Sequence, residues 1–256
     1  MDVRYTPEMF MSYFAGLKGL AMEELDVAPV VVLSWGPKIA KSLANVIGAK
    51  LSPGWIGEGR YDLYTGEVGG QRVSILHATV GAPCTVMQME QLIACGARVF
   101  IGVGYAGSLQ PSAPIGTFLI PTGCVSEEGT SAHYIDNNAP INPSQPLVAR
   151  LKESCHAAGI EVKLGSLWTT DAPFRELTSK IDEYRSQGVL GVDMETSAMY
   201  ALGQYRGVRV CNLLMVSDEL WHEWRIAFHK PELNQAEQIA EQVILRCLED
   251  MKSISD

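Results

Sequence analysis

The sequence predicts a single-domain, three-layer α/β fold with a central mixed sheet and helices on both of its faces. Three observations point there. Short apolar runs rich in β-branched residues alternate with longer segments of helical period. No repeat, low-complexity linker or composition break divides the 256 residues. Polar and Gly-rich residues fall at the ends of the apolar runs, where α/β sheets collect ligands.

In chain order, residues 29–34 (PVVVLS) read as a buried strand, and Pro37 opens a helix through 48. Residues 60–80 read as two strands joined by the turn residues Gly69 and Gly70. The helix over 83–96 ends at Gly96, a C-cap. Strands follow at 98–104 and 116–125, separated by the turn-rich SLQPSAPI. A polar loop (137–145) leads into a helix over 144–158 and a strand over 160–170. An amphipathic helix over 175–188 precedes the short strand 189–194, which runs straight into a helix over 195–207. The last strong strand is 208–218, and Pro231 starts the closing helix, 231–251. Nothing before residue 29 is assigned an element.

Composition excludes several classes. A net charge of −9 argues against a partner with a phosphate backbone, so nucleic acid is excluded. The start lacks both a basic n-region and an apolar h-region, and no apolar run is long enough to cross a bilayer. Six scattered cysteines without a C-x-x-C pair fit a reducing, cytoplasmic location. The five histidines have no metal-ligand spacing. GVGYAGS lacks the full dinucleotide fingerprint, and Ser108 has no visible acid–base pair to make it a nucleophile.

One junction raises a question. In GVLGVDMETSAMYAL (188–202) a buried strand meets a helix at Asp193 and Glu195. Burying an ionised carboxylate without partners costs several kcal/mol. Either these acids favour a helix N-terminus as dipole-matched charges, or something polar meets them.

Three stretches carry a resemblance to the purine and uridine phosphorylase family (nucleoside phosphorylases and related nucleosidases). They are GAPCTVMQMEQLIACGARVFIGVGYAGSLQP, VSEEGTSAHY and GVDMETSAMYALGQYRGVRVCNLLMVSD. The resemblance implies a partly barrel-like sheet and an enzyme, a pentosyltransferase that cleaves the N-glycosidic bond of a nucleoside with phosphate. Glu195 is then the residue that binds the ribose 2′ and 3′ hydroxyls, Met194 packs on the sugar face, and Asp193 serves the ribose site indirectly. Asp218, in MVSDEL, is the acid that donates to N7 of a purine-type base. By proximity alone, the following LWHEWRIAFH is either a lid with Arg225 assisting Asp218 or a loop packed down by two structural Trp. Phe174 stacks on the base, while Asp171 shapes the base loop. The Gln and Arg that uridine-specific relatives carry after that aromatic have no counterpart here.

The phosphate site departs from the pattern. The family loop G-D-P-x-R reads WGPKIAK here, with Gly36 for the Asp and Ile39 for the Arg. Gly102 stands where phosphorolytic relatives place a second Arg, and Tyr105 takes a Ser or Thr position. Gly36, Lys38, Tyr105 and Arg60, the last reaching across a dimer interface, are the remaining phosphate candidates. Two alternatives therefore stay open beside phosphorolysis: hydrolysis by a nucleosidase, and nucleoside binding without catalysis. The resemblance further implies a homodimer or a hexamer built as a trimer of dimers, and no metal or organic cofactor, inorganic phosphate being the co-substrate.

Overall fold

In the computed structural model, residues 3–57, 59–136, 139–249 and 251 are described. The first two residues of the polar loop expected at 137–145 lie outside them. Helix α1 (Pro7–Leu17) opens the chain, its first turn capped by the Thr6 hydroxyl, which accepts the Met9 amide at 3.3 Å. Strand β1 (Val30–Ser34) follows, then α2 (Pro37–Val46) and the strands β2 (Lys50–Leu51), β3 (Leu63–Val68) and β4 (Gln71–His77). Next come α3 (Ala82–Ala94), β5 (Val99–Ser108), β6 (Phe118–Glu127), α4 (Gln145–Ala157) and β7 (Val162–Thr170). The chain closes with α5 (Thr178–Ser186), β8 (Gly191–Asp193), α6 (Thr196–Arg206), β9 (Arg209–Glu219), β10 (Arg225–Ile226) and α7 (Pro231–Glu249).

All ten strands join one sheet in the order β10-β9-β6-β7-β8-β5-β1-β4-β3-β2, and β9 also pairs with β5. That extra pairing closes β9, β6, β7, β8 and β5 into a five-stranded barrel, with β1, β4, β3 and β2 extending from β5. Parallel and antiparallel pairs mix: β1 lies parallel to β4 and β5, while β5 meets β8 antiparallel. The β3–β4 hairpin turns at Gly69 and Gly70, with φ of 58° and 79°, the left-handed pair that a two-residue hairpin loop requires.

β1 explains the layering. Its five residues are all buried, as a central parallel strand demands. Val30 and Val32 pack into a core with α2, α4 and α7, whereas Val31 and Leu33 face a second core with α1, α3 and α6. Alternation along the strand thus places helices on both faces. The helix expected over 175–188 begins later, at Thr178, because Pro173–Arg175 forms a separate single turn. Neither α1 nor the short edge strands β2 and β10 were expected from the sequence.

Register brings the strand ends together. Thr169 pairs with Asp193, Gly107 with Val192, and Gly107 also with Asp218 across a bulge at Ala106/Gly107. Bulges of this kind bend a strand and re-aim its side chains. The ends of β5, β7, β8 and β9 therefore converge on one rim of the barrel.

Candidate functional site

Asp193 and Glu195, two residues apart, do different work. Asp193 is buried and holds the turn: Oδ2 accepts the Thr196 amide at 3.0 Å and the Thr196 hydroxyl, while Oδ1 accepts the Thr169 hydroxyl at 2.8 Å. The Thr196 hydroxyl in turn accepts Asn212 Nδ2 at 2.8 Å. With that turn locked, the backbone of Glu195 occupies the N-cap of α6, yet its side chain makes no capping bond. Instead Glu195 Oε1 accepts the Gly81 amide at 2.6 Å. Gly81 is the N-cap of α3, and its φ of 100° suits a residue without a Cβ. The carboxylate thus sits at the positive end of a 13-residue helix, where a negative charge is favoured.

Burial pushes both carboxyls above the usual carboxylate range. For Asp193 the hydrogen bonds from Thr196 and Thr169 pull the other way. For Glu195 the neighbouring charge of Asp193 adds to burial, and the Gly81 amide opposes it.

Asp218, which lines the same cavity as Glu195, lies near the end of β9. Its Oδ1 accepts the Ser217 hydroxyl at 2.8 Å and its Oδ2 accepts Trp224 Nε1 at 3.0 Å. Gly107 on β5 leaves the room: a Cβ there would come 2.5 Å from Leu220 Cδ1 and 3.4 Å from Asp218 Oδ2. Glu176, just beyond the Pro173–Arg175 turn, faces the same space. Burial first, and then the charge of Asp218, pushes its carboxyl up to about 7.

That cavity, of about 540 Å³, is lined by Met194, Glu195, Asp193, Asp218, Glu176, Tyr105, Trp35 and Phe174 among others. Its size is within the range of small-molecule sites, roughly 300–1,000 Å³. Phe174 stands at the mouth, 99% exposed, its ring face open to a ligand. Four carboxyl groups line the cavity, and among the described residues no Lys, Arg or His does.

Several residues expected at the site lie outside this cavity. Asp171 does not line the cavity; it accepts the Gly129 amide at 3.0 Å and so ties two loops together. Lys38 is exposed and lines no part of the cavity, Gly36 is buried beneath Tyr105, and Arg60 is exposed, away from its own chain's cavity. Arg225 turns away from Asp218 to pair with Glu219 at 3.3 Å, and Trp224 takes its place. Asp193 lines the cavity, but both of its oxygens are engaged in the turn, so Glu195 is the acid left for a ligand.

Sequence reasoning missed Gly81, Glu176, Trp35 and Trp224. Gly81 stood inside a quoted motif without a role, because only the fold brings its amide to residue 195. Trp35 belonged to the altered phosphate loop, and its ring now covers Gly102 and Gly104. A Cβ on Gly104 would come 2.8 Å from Trp35 Cε3.

A family model described as "Phosphorylase superfamily" matches residues 30–249. A uridine phosphorylase of Treponema pallidum is 31% identical over 80% of this chain and 81% of that protein. A guanosine phosphorylase of Halorubrum lacusprofundi is 24% identical over 78% of this chain and 83% of its own length. Among solved structures, purine nucleoside phosphorylase from Toxoplasma gondii, in complex with immucillin-H, superposes with a TM-score of 0.82. It covers 99% of this chain and 98% of its own, at 22% identity, a likeness of fold.

Proposed function

Because the chain belongs to the phosphorylase superfamily, as a pentosyltransferase of nucleoside phosphorylase type, we propose that its cavity cleaves a nucleoside with a purine-type base to free base and ribose 1-phosphate. The observation that carries this reading is the placement of Glu195 and Asp218 in the lining of one cavity at the strand ends. Bond breaking builds positive charge on the sugar carbon and negative charge on the leaving base. Glu195 accepts the ribose 2′ and 3′ hydroxyls, orients the sugar and offsets the positive charge. Met194 packs on the sugar face and Phe174 stacks on the base.

Asp218 donates a proton to the base, and the Ser217 and Trp224 donors fix its orientation. A purine supplies an acceptor nitrogen for that proton, which supports the purine-type preference. The reaction needs no metal or organic cofactor, inorganic phosphate being the co-substrate. Arg60 fits this reading in a homodimer or a hexamer of dimers, where it reaches a neighbour's cavity. Six free cysteines fit a cytoplasmic setting, and no helix among the described residues is long and apolar enough to cross a membrane.

A second reading, hydrolysis, is favoured by one observation: no cationic side chain lines the cavity among the described residues. A phosphate dianion is normally held by such groups. A panel of purine and pyrimidine nucleosides, incubated with and without phosphate, separates the readings. Phosphate-dependent release of purine bases supports the first and phosphate-independent release the second. Silence on every nucleoside defeats both.

A further inference from the structure

Behind the cavity wall, Tyr105 meets an internal carboxylate that does not itself line the cavity. Tyr105 projects from β5 into the cavity wall, and its hydroxyl lies against Gly36, the N-cap of α2, where a Cβ would approach it to 2.7 Å. That hydroxyl donates to Glu237 Oε1 on α7 at 2.7 Å. One turn further along α7, Glu241 Oε2 accepts the Ser42 hydroxyl of α2 at 2.6 Å. α2 therefore already meets two acids of this chain, Glu237 through the Tyr105 hydroxyl beside its N-cap and Glu241 at Ser42. A helix N-terminus favours an incoming anion, but here a fixed negative charge stands beside it.

Trp35 fills the remaining room. Its Nε1 is held by the Thr79 carbonyl and the Thr85 hydroxyl, each at 3.3 Å, which pins the ring over Gly102 and Gly104. Phe228 packs edge-on against Tyr105, with ring centroids 5.9 Å apart. The corner is thus aromatic, anchored and negatively charged.

We propose that Glu237, held by the Tyr105 hydroxyl, determines the acceptor specificity of the site, disfavouring a phosphate dianion and letting water compete for the pentosyl group. This rests on the reading of the cavity as a nucleoside site. In both outcomes the C1′–N bond breaks, its electron pair goes to the base, and the base takes a proton from Asp218. C1′ then bonds either to a phosphate oxygen or to a water oxygen. In either case the proton released by the acceptor, from hydrogen phosphate or from water, returns through solvent to reprotonate Asp218. Like charges repel strongly in a partly buried site, whereas a neutral water meets no such barrier.

The test titrates inorganic phosphate against wild type and Glu237→Gln with a purine nucleoside, separating ribose from ribose 1-phosphate. Wild type is expected to yield ribose beside ribose 1-phosphate. Glu237→Gln is expected to lower the phosphate KM at least about tenfold, equivalent to about 1.4 kcal/mol, and to raise the ribose 1-phosphate share. Tyr105→Phe, which frees Glu237 to turn to solvent, is expected to move both in the same direction by a smaller factor, and serves if the first variant does not fold. An unchanged phosphate KM in the folded variants overturns the proposal. If no nucleoside is cleaved, the proposed function fails, and calorimetry with phosphate alone still decides: tighter binding by the variants supports the role of Glu237, equal binding refutes it.

Discussion

The carboxylate of Glu195 meets the amide of Gly81 at 2.6 Å, although 114 positions separate them in the chain. The contact joins the turn before α6 to the first turn of α3, and it keeps one buried carboxylate aimed into the cavity. Removing that carboxylate removes the sugar's anchor. Glu195→Ala is expected to lower kcat/KM by about 10²- to 10³-fold, in line with the loss of a preorganised electrostatic contact. The fold should persist, since Asp193, not Glu195, caps α6. Steady-state kinetics beside a thermal melt checks this, and a variant that cleaves as well as wild type removes Glu195 from the sugar site.

A linked proton follows from the same burial. The folded-state pKa of Glu195 is raised, so the folded chain holds that proton more tightly than the unfolded chain. Its contribution to stability is complete at pH below the ordinary carboxylate value and declines as pH rises through the raised folded value. Ribose hydroxyls donate to the ionised form and so favour it. Nucleoside binding near neutral pH is therefore expected to release protons. Calorimetry in two buffers of different ionisation heat measures the release; a binding heat independent of buffer contradicts it.

Asp218 and Trp224 should separate kinetically. Asp218→Asn removes the transferable proton and is expected to cut kcat on purine nucleosides by about 10²- to 10⁴-fold. Trp224→Phe keeps the acid and loses only the Nε1 donor on Oδ2. A single hydrogen bond to a neutral carboxyl contributes about 0.5–1.5 kcal/mol, and Trp224 is 66% exposed, so a smaller loss in kcat is expected. Equal losses from the two substitutions would show that Trp224 does more than orient the acid.

These residues also mark how far the sequence could be read. The central strands were legible because a parallel strand buried on both faces is a continuous apolar run, as in β1. The acids at 193, 195 and 218 were legible because a carboxylate at the end of such a run needs a reason. Barrel closure was legible only through the family resemblance, since the pairing of β5 with β9 has no local signature. The partners of the acids were hidden for the same reason: Gly81, Thr169 and Trp224 are ordinary residues until the fold delivers them. Arg225 was expected beside Asp218 on proximity alone, but β10 pairs antiparallel with β9 and sends its side chain to Glu219. Helix α1 was missed because its exposed Met9, Tyr13 and Leu17 blur the apolar stripe that marks a surface helix.

Gly102 supplies a test of the scaffold behind the site. A Cβ there would run into Asn212 Oδ1 and come 3.1 Å from Trp35 Cζ3. Asn212 is fully buried and cannot retreat, because its Nδ2 donates to the Thr196 hydroxyl that secures Asp193. Pressure at residue 102 thus passes through Asn212 and Thr196 to the turn that aims Glu195. Overpacking a filled core costs about 1–3 kcal/mol, so Gly102→Ala is expected to lose stability and activity together. Gly16, within α1, has open space around its Cα, and Gly16→Ala should gain about 0.5–1 kcal/mol with activity unchanged. Denaturant melts and kcat on both variants decide the matter, and a Gly102→Ala protein as stable and active as its Gly16→Ala counterpart would break the proposed chain from Asn212 to the sugar site.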